Sequence, residues 1–270
     1  MPLVVCPTPI GNLEDVTLRV LRELRGADLV LCEDTRRTRV LLERHAVAAR
    51  LRSFHRHNEA ARTAEVLPRL EAGERIALVS DAGLPGVNDP GSRLVVAAIE
   101  RGLLVTVLPG PSAVETALVA SGLVGDRYAF LGYLPRTPEA LEGLWRELAP
   151  WTWPAIAFES PRRLPRSLET LAAVLPDRRV AVCRELTKRF EEIVRGRAVD
   201  VAGRFREAPK GEVTLVIGGA GTRPDESVDA ETGAGAVVEL VAAGIPRRRA
   251  AELVARLTGA SRNELYRRSL

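Results

Sequence analysis

Residues 80–91 read SDAGLPGVNDPG and residues 108–113 read LPGPSA, and each follows a short β-rich run, RIALV at 75–79 and LLVTV at 103–107. A strand-length apolar run that ends in a Gly/Pro/Asp turn and leads into a helix-period stretch is a βα unit, and repeated units build a mainly parallel sheet. Two similar turns stand upstream: CPTPIGNLED at 6–15 after one run, and CEDTRRT at 32–38 after another. Any one of them is explained by turn chemistry, because Gly, Pro, Asn and Asp supply the backbone angles of turns. Four in succession at one sheet edge point to a site, since ligands of open parallel sheets bind outside the carboxyl ends of the strands.

Working outward, the first half reads as strands at 3–6, 28–32, 75–79 and 103–107, with helices at 15–25, 35–45, 59–72, 91–101 and 112–121. The second half repeats the alternation, with strands at 128–132, 154–158, 179–184, 190–196 and 212–218 and helices at 138–149, 162–174 and 198–207. The segment GLVGDR at 122–127 is the expected boundary, giving an α/β domain over 1–122 and a second over 123–222. A small-residue, acidic stretch at 223–235 reads as a linker. Beyond it, 236–270 carries apolar residues at helical spacing and reads as three short helices in a helix-turn-helix-like appendage. Gly244 and Gly259 are its expected helix stops, and Ser261 with Glu264 its expected capping box.

The chain has 270 residues, 46% hydrophobic and 27% charged, which suits a soluble globular protein with sizeable cores. No window supplies 18 uninterrupted apolar residues, and the start MPLVVCPTPIGN has no signal-peptide pattern, so a cytoplasmic, non-membrane protein is expected. Cys6, Cys32 and Cys183 are widely spaced with no CxxC, which disfavours a disulfide framework or thiolate metal site and suggests buried free thiols. The appendage holds seven arginines against three glutamates, which accounts for the whole net charge of +4. A basic end on a neutral body suits either a solvated surface or a polyanion partner.

No GxGxxG or GxxxxGK[ST] pattern occurs, so dinucleotide and P-loop sites are not expected. Gly83, Gly86, Pro109 and Gly110 let a backbone approach a ligand closely, Ser112 opens a helix, and Asp81 and Asp89 can accept from an ammonium or a ribose.

In order along the chain, TPIGNLEDVTLR, ADLVLCEDTRRT, SFHRHNE, VSDAGLPGVNDPG, LPGPSA, FLGYLP, FESPRRL, CRELTKRFEEIVRG and KGEVTLVIGG resemble the tetrapyrrole-methylase superfamily. The likeness is to its branch of ribosomal RNA small-subunit methyltransferases, ribose 2′-O-methylating enzymes, and RRRAAELVARLTGASRNELY is similar to that branch's helical appendage. The resemblance implies two α/β domains with a cleft between them, S-adenosylmethionine as methyl donor, a homodimer, and a cytidine ribose in the decoding region of small-subunit ribosomal RNA as acceptor. It implies donor contacts from Ile10, Asp81, Ala82, Gly83, Val87, Ser112 and Ala113, and from Phe158, Glu159, Leu186, Val213 and Thr214 in the second half.

Methyl transfer to a hydroxyl needs positioning and a proton acceptor. The candidates are Glu33, Asp34, His57, Glu159 and Glu185, among which sequence does not choose. Glu33-Asp34 beside Arg36 and Arg37 equally suits a helix cap or ion-pair network. His55 and His57 lack a third ligand at a recognised spacing, so no metal is expected. For RNA the candidates are Asn12, Arg36, Asn58, Arg184, Lys188, Arg247, Arg248 and Arg249, with Arg37, Arg39, His55, Arg56, Arg162 and Arg163 near the same cleft edges. Trp145, Trp151 and Trp153 read as core or interface rather than stacking platforms. Two rival readings share parts of this pattern. A small-molecule methylase of the tetrapyrrole type shares the fold, and a non-catalytic RNA-binding ribosome-assembly protein shares the basic appendage but has no need of the strand-end turns.

Overall fold

A computed structural model describes residues 2–221, 230–258 and 261–270. The chain forms two compact units, Met1–Ala220 and Gly221–Leu270. The first unit opens with β1 (Leu3–Val5), α1 (Leu18–Arg25), β2 (Leu29–Cys32), α2 (Thr35–Arg44), β3 (Leu51–Ser53), α3 (Glu59–Glu71), β4 (Ile76–Leu78), α4 (Ser92–Glu100), β5 (Val105–Val107) and α5 (Ala113–Ser121). Its five strands form an all-parallel sheet in the order β3-β2-β4-β1-β5.

Both faces of this sheet are covered, which is why its strands read as unbroken apolar runs. Val4, Val30 and Ala77 pack with Val20, Leu21 and Leu24 of α1 and with Leu41 and Leu42 of α2. Leu3, Leu29, Leu31, Ile76 and Leu78 pack on the other face with Val66, Leu67 and Leu70 of α3 and with Leu94 and Ala98 of α4. Neighbouring strands β1 and β4 are thus followed by helices on opposite faces, and their carboxyl ends form the switch point at which open sheets bind ligands. The edge strand β3 was not expected from sequence, because Leu51-Arg52-Ser53 is too short and too polar to show a period.

The second sheet is formed by β6 (Ala129–Tyr133), β7 (Ala155–Glu159), β8 (Arg179–Arg184), β9 (Glu192–Arg197) and β10 (Val213–Ile217), with α6 (Pro138–Leu148), α7 (Leu164–Val174) and α8 (Ala198–Arg204). Its order is β6-β7-β10-β8-β9. Only β6 and β7 are parallel, and the other three pairings are antiparallel, which corrects the expectation of a mainly parallel second sheet. Two connections explain the difference: a short turn returns β8 to β9, and β10 enters between β7 and β8 in the opposite sense. One face packs on α6, α7 and α8 through a core that includes Trp145, Leu168, Val182 and Leu215. The other face packs on α5, through Val114, Ala117 and Leu118 against Ile156, Ala181, Cys183 and Val216. The last helix of the first half therefore serves the core of the second.

The unit Gly221–Leu270 contains α9 (Ala230–Ala242), α10 (Arg247–Thr258) and α11 (Arg262–Arg268), packed through Val237, Ala250, Ala251, Val254 and Leu265. Residues 230–235 of the expected linker are helical, and 223–229 lie outside the described residues. Gly244 follows α9 at φ +91°, as a helix stop requires, whereas Gly259 lies outside the described residues. The expected capping box does not form. Ser261 occupies the N-cap without a side-chain bond, and Glu264 pairs with Arg268 at 2.9 Å.

All three cysteines are buried and free, and burial pushes the thiols of Cys6 and Cys183 up to about 12, which removes them as nucleophiles. No helix among the described residues is long and apolar enough to cross a membrane.

Candidate functional site

The turns after β1 and β4 are tied together by backbone. Thr8 and Gly83 exchange two N–H···O bonds of 2.9 Å, the Thr8 hydroxyl donates to Ser80 O at 2.9 Å, and the Ser80 hydroxyl donates to Gly83 O at 3.1 Å. Gly83 sits at φ +77°, a conformation that side chains resist, so the SDAG turn can close on the first turn only with glycine there. The turn after β2 joins through Asp81, whose Oδ1 accepts from the Asp34 amide at 2.9 Å while Oδ2 lies 3.5 Å from Arg37. The PGPSA turn after β5 reaches the same place because Gly110 lies against Pro7, and a Cβ on it would overlap Pro7 Cγ.

Across the sheets, Ile10, Ala82, Ala113, Phe158 and Leu186 converge in one apolar cluster with α5 and the second sheet. These five donor candidates come from five different segments of the chain. Beside them an open groove is lined by Ile10, Asp15, Thr17, Gly110, Pro111, Thr116 and Thr187. An apolar wall beside hydroxyls and the amide end of α5 fits a ligand with a flat ring at one end and an amino acid at the other.

The remaining donor candidates sort by strand geometry. Thr214 is buried in register with Phe158 and alternates onto the face of Val216, toward the cluster. Val213 alternates onto the opposite face, in the core with α6–α8, so only its backbone can serve the site. Val87, in the loop after β4, is 43% exposed. The Ser112 hydroxyl does not cap α5 but bonds Glu115, whose other oxygen accepts from Tyr128 at 2.7 Å.

Glu159, expected as a donor contact and as a candidate base, has its side chain committed to protein partners. It alternates to the face away from Phe158, its side chain is fully buried, and its oxygens accept from Ser160 N at 2.6 Å and Ser167 Oγ at 2.5 Å while pairing with Arg163 at 2.5 Å. Arg163 in turn donates to Leu134 O at 3.2 Å and Pro135 O at 3.3 Å. Glu159 therefore anchors the turn after β6 through Arg163. Nothing in the local pattern signals this, because the i,i+4 pairing of Glu159 with Arg163 crosses a strand end and a turn.

Two other base candidates are also committed to structure. Asp34 caps α2 by accepting from Arg36 N at 2.8 Å, and hydrogen bonding from the Arg36 side chain holds its carboxyl well below the usual range. Glu185 accepts from Lys188 Nζ at 2.7 Å and Glu212 N at 2.9 Å, and the Lys188 bond lowers its carboxyl. Glu33 differs: burial, then the neighbouring Asp81 charge, raises its carboxyl. Asp89 belongs to the same neighbourhood and is pushed up to about 6, by burial first and then by Glu33 and Asp81. His57 is exposed with its ring 6.0 Å from that of His55.

Among the RNA candidates, Asn58 holds its own loop, accepting from His55 N at 2.8 Å and donating to Ser53 O at 3.3 Å. Arg36 pairs with Asp34 at 2.7 Å, and Arg184 pairs with Glu192 at 2.9 Å and donates to Lys210 O. Asn12 and Lys188 meet across a second groove that includes Gly11, Arg44 and Arg189. The Asn12 amide donates to Thr187 Oγ1 at 3.0 Å, a partner sequence did not single out. Glu185 and Thr187 both have positive φ, +52° and +64°, so this loop is strained where it meets the first turn. Arg247, Arg248 and Arg249 form the first turn of α10, and Arg249 pairs with Glu252 at 3.3 Å.

Residues 2–202 match the family described as Tetrapyrrole (Corrin/Porphyrin) Methylases, and residues 226–270 match the RsmI C-terminal HTH domain. The ribosomal RNA small subunit methyltransferase I of Mesorhizobium japonicum is 43% identical, over 99% of this chain and 91% of that protein. Its namesake from Thermotoga maritima is 41% identical over 80% of this chain and 98% of that protein. Among solved structures, the methyltransferase CobJ aligns with a TM-score of 0.63 at 23% identity, covering 82% of this chain and 95% of that one. A uroporphyrin-III C-methyltransferase from Thermus thermophilus, complexed with S-adenosylhomocysteine, aligns at 0.58 and 17% identity, covering 80% and 96%. These structural likenesses establish the fold.

The burial of Glu159 yields a direct test of its role. Glu159→Gln is expected to lower unfolding stability by about 2–3 kcal/mol in urea denaturation, because it leaves Arg163 without its charge partner. Loss of donor affinity with no loss of stability would instead mark Glu159 as a ligand contact.

Proposed function

The chain belongs to the tetrapyrrole (corrin/porphyrin) methylases, and within them to the ribosomal RNA small subunit methyltransferase I family, and on that premise we propose that it transfers a methyl group from S-adenosylmethionine to the 2′-hydroxyl of a cytidine ribose in the decoding region of small-subunit ribosomal RNA. The observation that carries this reading is the convergence of Ile10, Ala82, Ala113, Phe158 and Leu186 beside an open groove at the switch point of the first sheet. S-adenosylmethionine, when bound, supplies an electrophilic methyl group on a sulfonium sulfur. Ile10, Ala82 and Phe158 provide apolar walls for its adenosine, and the amides opening α5 at Ala113 receive its carboxylate. Gly83, fixed by Thr8, keeps the SDAG backbone against the ligand, and the cluster excludes water from it.

Glu33 is the proton acceptor in this reading. Asp34 and Glu185 are each held ionised and weakly basic by an ion pair, and Glu159 is buried against Arg163 and Ser167, whereas the Glu33 carboxyl is raised, and a raised carboxyl is a better base near neutral pH. Arg247, Arg248 and Arg249 supply phosphate contacts from the appendage, and the chain works as a cytoplasmic homodimer. The exposed Val96 and Ile99 of α4 and Leu104 and Val107 around edge strand β5 suit such an interface, which sedimentation at twice the chain mass checks.

The reading is tested by incubating the protein with methyl-labelled donor and small subunits from cells lacking it, then digesting the RNA to nucleosides. Label in 2′-O-methylcytidine is expected, whereas label on a base, or none, contradicts it. In the same assay Glu33→Gln is expected to reduce kcat roughly 100-fold or more and to abolish an acid limb lying above the ordinary carboxylate range. A kcat within threefold, on the order of experimental scatter, removes Glu33 from the mechanism. Replacing Arg247, Arg248 and Arg249 with glutamine is expected to flatten the slope of log K against log salt for RNA by about 2, near 0.7 for each phosphate that is no longer neutralised. An unchanged slope would show that these arginines do not meet RNA.

A further inference from the structure

The motif FLGYLP at 130–135 has no part in the donor cluster beyond Phe130, yet the structure spends several devices on it. The pairing of β6 with β7 slips by one residue between Phe130 and Tyr133, with Gly132 in the slip at φ +69°. Strict alternation would turn Tyr133 to the same face as Leu131, into the core with α6 and α7. The extra residue reverses that and puts Tyr133 on the face of Phe158, whose ring it meets edge-on at 5.6 Å. Phe158 in turn meets Phe130 at 5.0 Å and packs against the donor cluster.

The loop after β4 also reaches Gly132, where a Cβ would sit 3.2 Å from Asn88 Oδ1. The turn beyond Tyr133 is held from below by Arg163, donating to Leu134 O and Pro135 O and anchored on buried Glu159. A bulge, a glycine and a buried ion pair thus fix a large aromatic side chain that is 63% exposed. Partial burial and the nearby charges of Asp89 and Glu212 push its pKa above the ordinary phenol value, so the phenol stays a neutral donor. Arg136 and Arg162, on the turns that follow β6 and β7, are exposed, and among the described residues neither has a carboxylate partner.

We infer that Tyr133 is the stacking surface for a nucleobase of the RNA acceptor, with Arg136 and Arg162 meeting the adjoining phosphates. The inference rests on the RNA-methylating function proposed above and gives it a residue that positions the acceptor nucleotide. Stacking tolerates any base and needs an exposed, rigid aromatic face, and the two guanidinium groups supply charge to the backbone beside it.

The test compares Tyr133→Ala and Tyr133→Phe with the wild-type chain in methyl transfer to small subunits from cells lacking the protein, alongside calorimetric titration with S-adenosylhomocysteine. Tyr133→Ala is expected to raise KM for the subunit about tenfold or more, while Tyr133→Phe, which keeps the ring, stays within about threefold of wild type. Affinity for S-adenosylhomocysteine is expected to be unchanged in both, because Tyr133 lies outside the donor cluster. Arg136→Gln with Arg162→Gln is expected to weaken the salt dependence of subunit binding. An unchanged KM in Tyr133→Ala overturns the inference, as does an equal loss of S-adenosylhomocysteine affinity, which would place the ring at the donor. A wild-type chain that labels no ribosomal RNA overturns the function itself, and the inference with it.

Discussion

The reciprocal backbone bridge between Thr8 and Gly83 is the constraint on which the site depends. It fastens the turns of two neighbouring strands whose following helices diverge to opposite faces of the sheet. Divergence opens a crevice, and the bridge sets its floor. Asp81 extends the same fastening to a third turn by accepting the Asp34 amide, and the Gly110–Pro7 approach brings in a fourth. Each link is made by backbone, by a short polar side chain or by the Pro7 ring, so the turns themselves leave the crevice open to Ile10 and Ala82.

The second constraint is α5. It begins in the PGPSA turn of the first sheet but buries Val114, Ala117 and Leu118 against the second, so the two sheets share one core along that helix. Ala113 at its start and Phe158 on the facing strand consequently stand together. Leu186 arrives from the strained loop after β8, held in place by the contact of Gly11 with Thr187 and Lys188, where a Cβ would come within 2.5 Å of Lys188 Cγ. Carboxylates near the crevice divide by environment. Those bonded to Arg36 or Lys188 are kept ionised and weakly basic, and those that are buried and also face other carboxylates are raised.

Much of this was legible in the sequence because it depends on local pattern. The apolar runs, the turn residues after them and the order of nine motifs pointed to the α/β alternation, the switch-point turns and the family. The three-helix appendage was legible from its 3.6-residue period and from Gly244. What was not legible depends on pairings between distant segments. Antiparallel placement of β10 between β7 and β8 leaves no trace in periodicity, since strands of either sense buried on both faces read alike. The same holds for side-chain direction. FES suggested Phe158 and Glu159 as joint ligands, yet adjacent strand residues face opposite sides, and only the register shows which one faces the crevice. The bulge at Gly132 is a third instance, where one glycine decides the orientation of Tyr133.

The position of the methyl donor decides whether these turns form the site, and a crystal structure of the protein with S-adenosylhomocysteine tests it most directly. The predicted result places the ligand in the crevice, in contact with Ile10, Ala82, Gly83, Ala113, Phe158 and Leu186, with its carboxylate at the amides that open α5. Density for the ligand away from those residues, with the Thr8–Gly83 bridge intact, would contradict it.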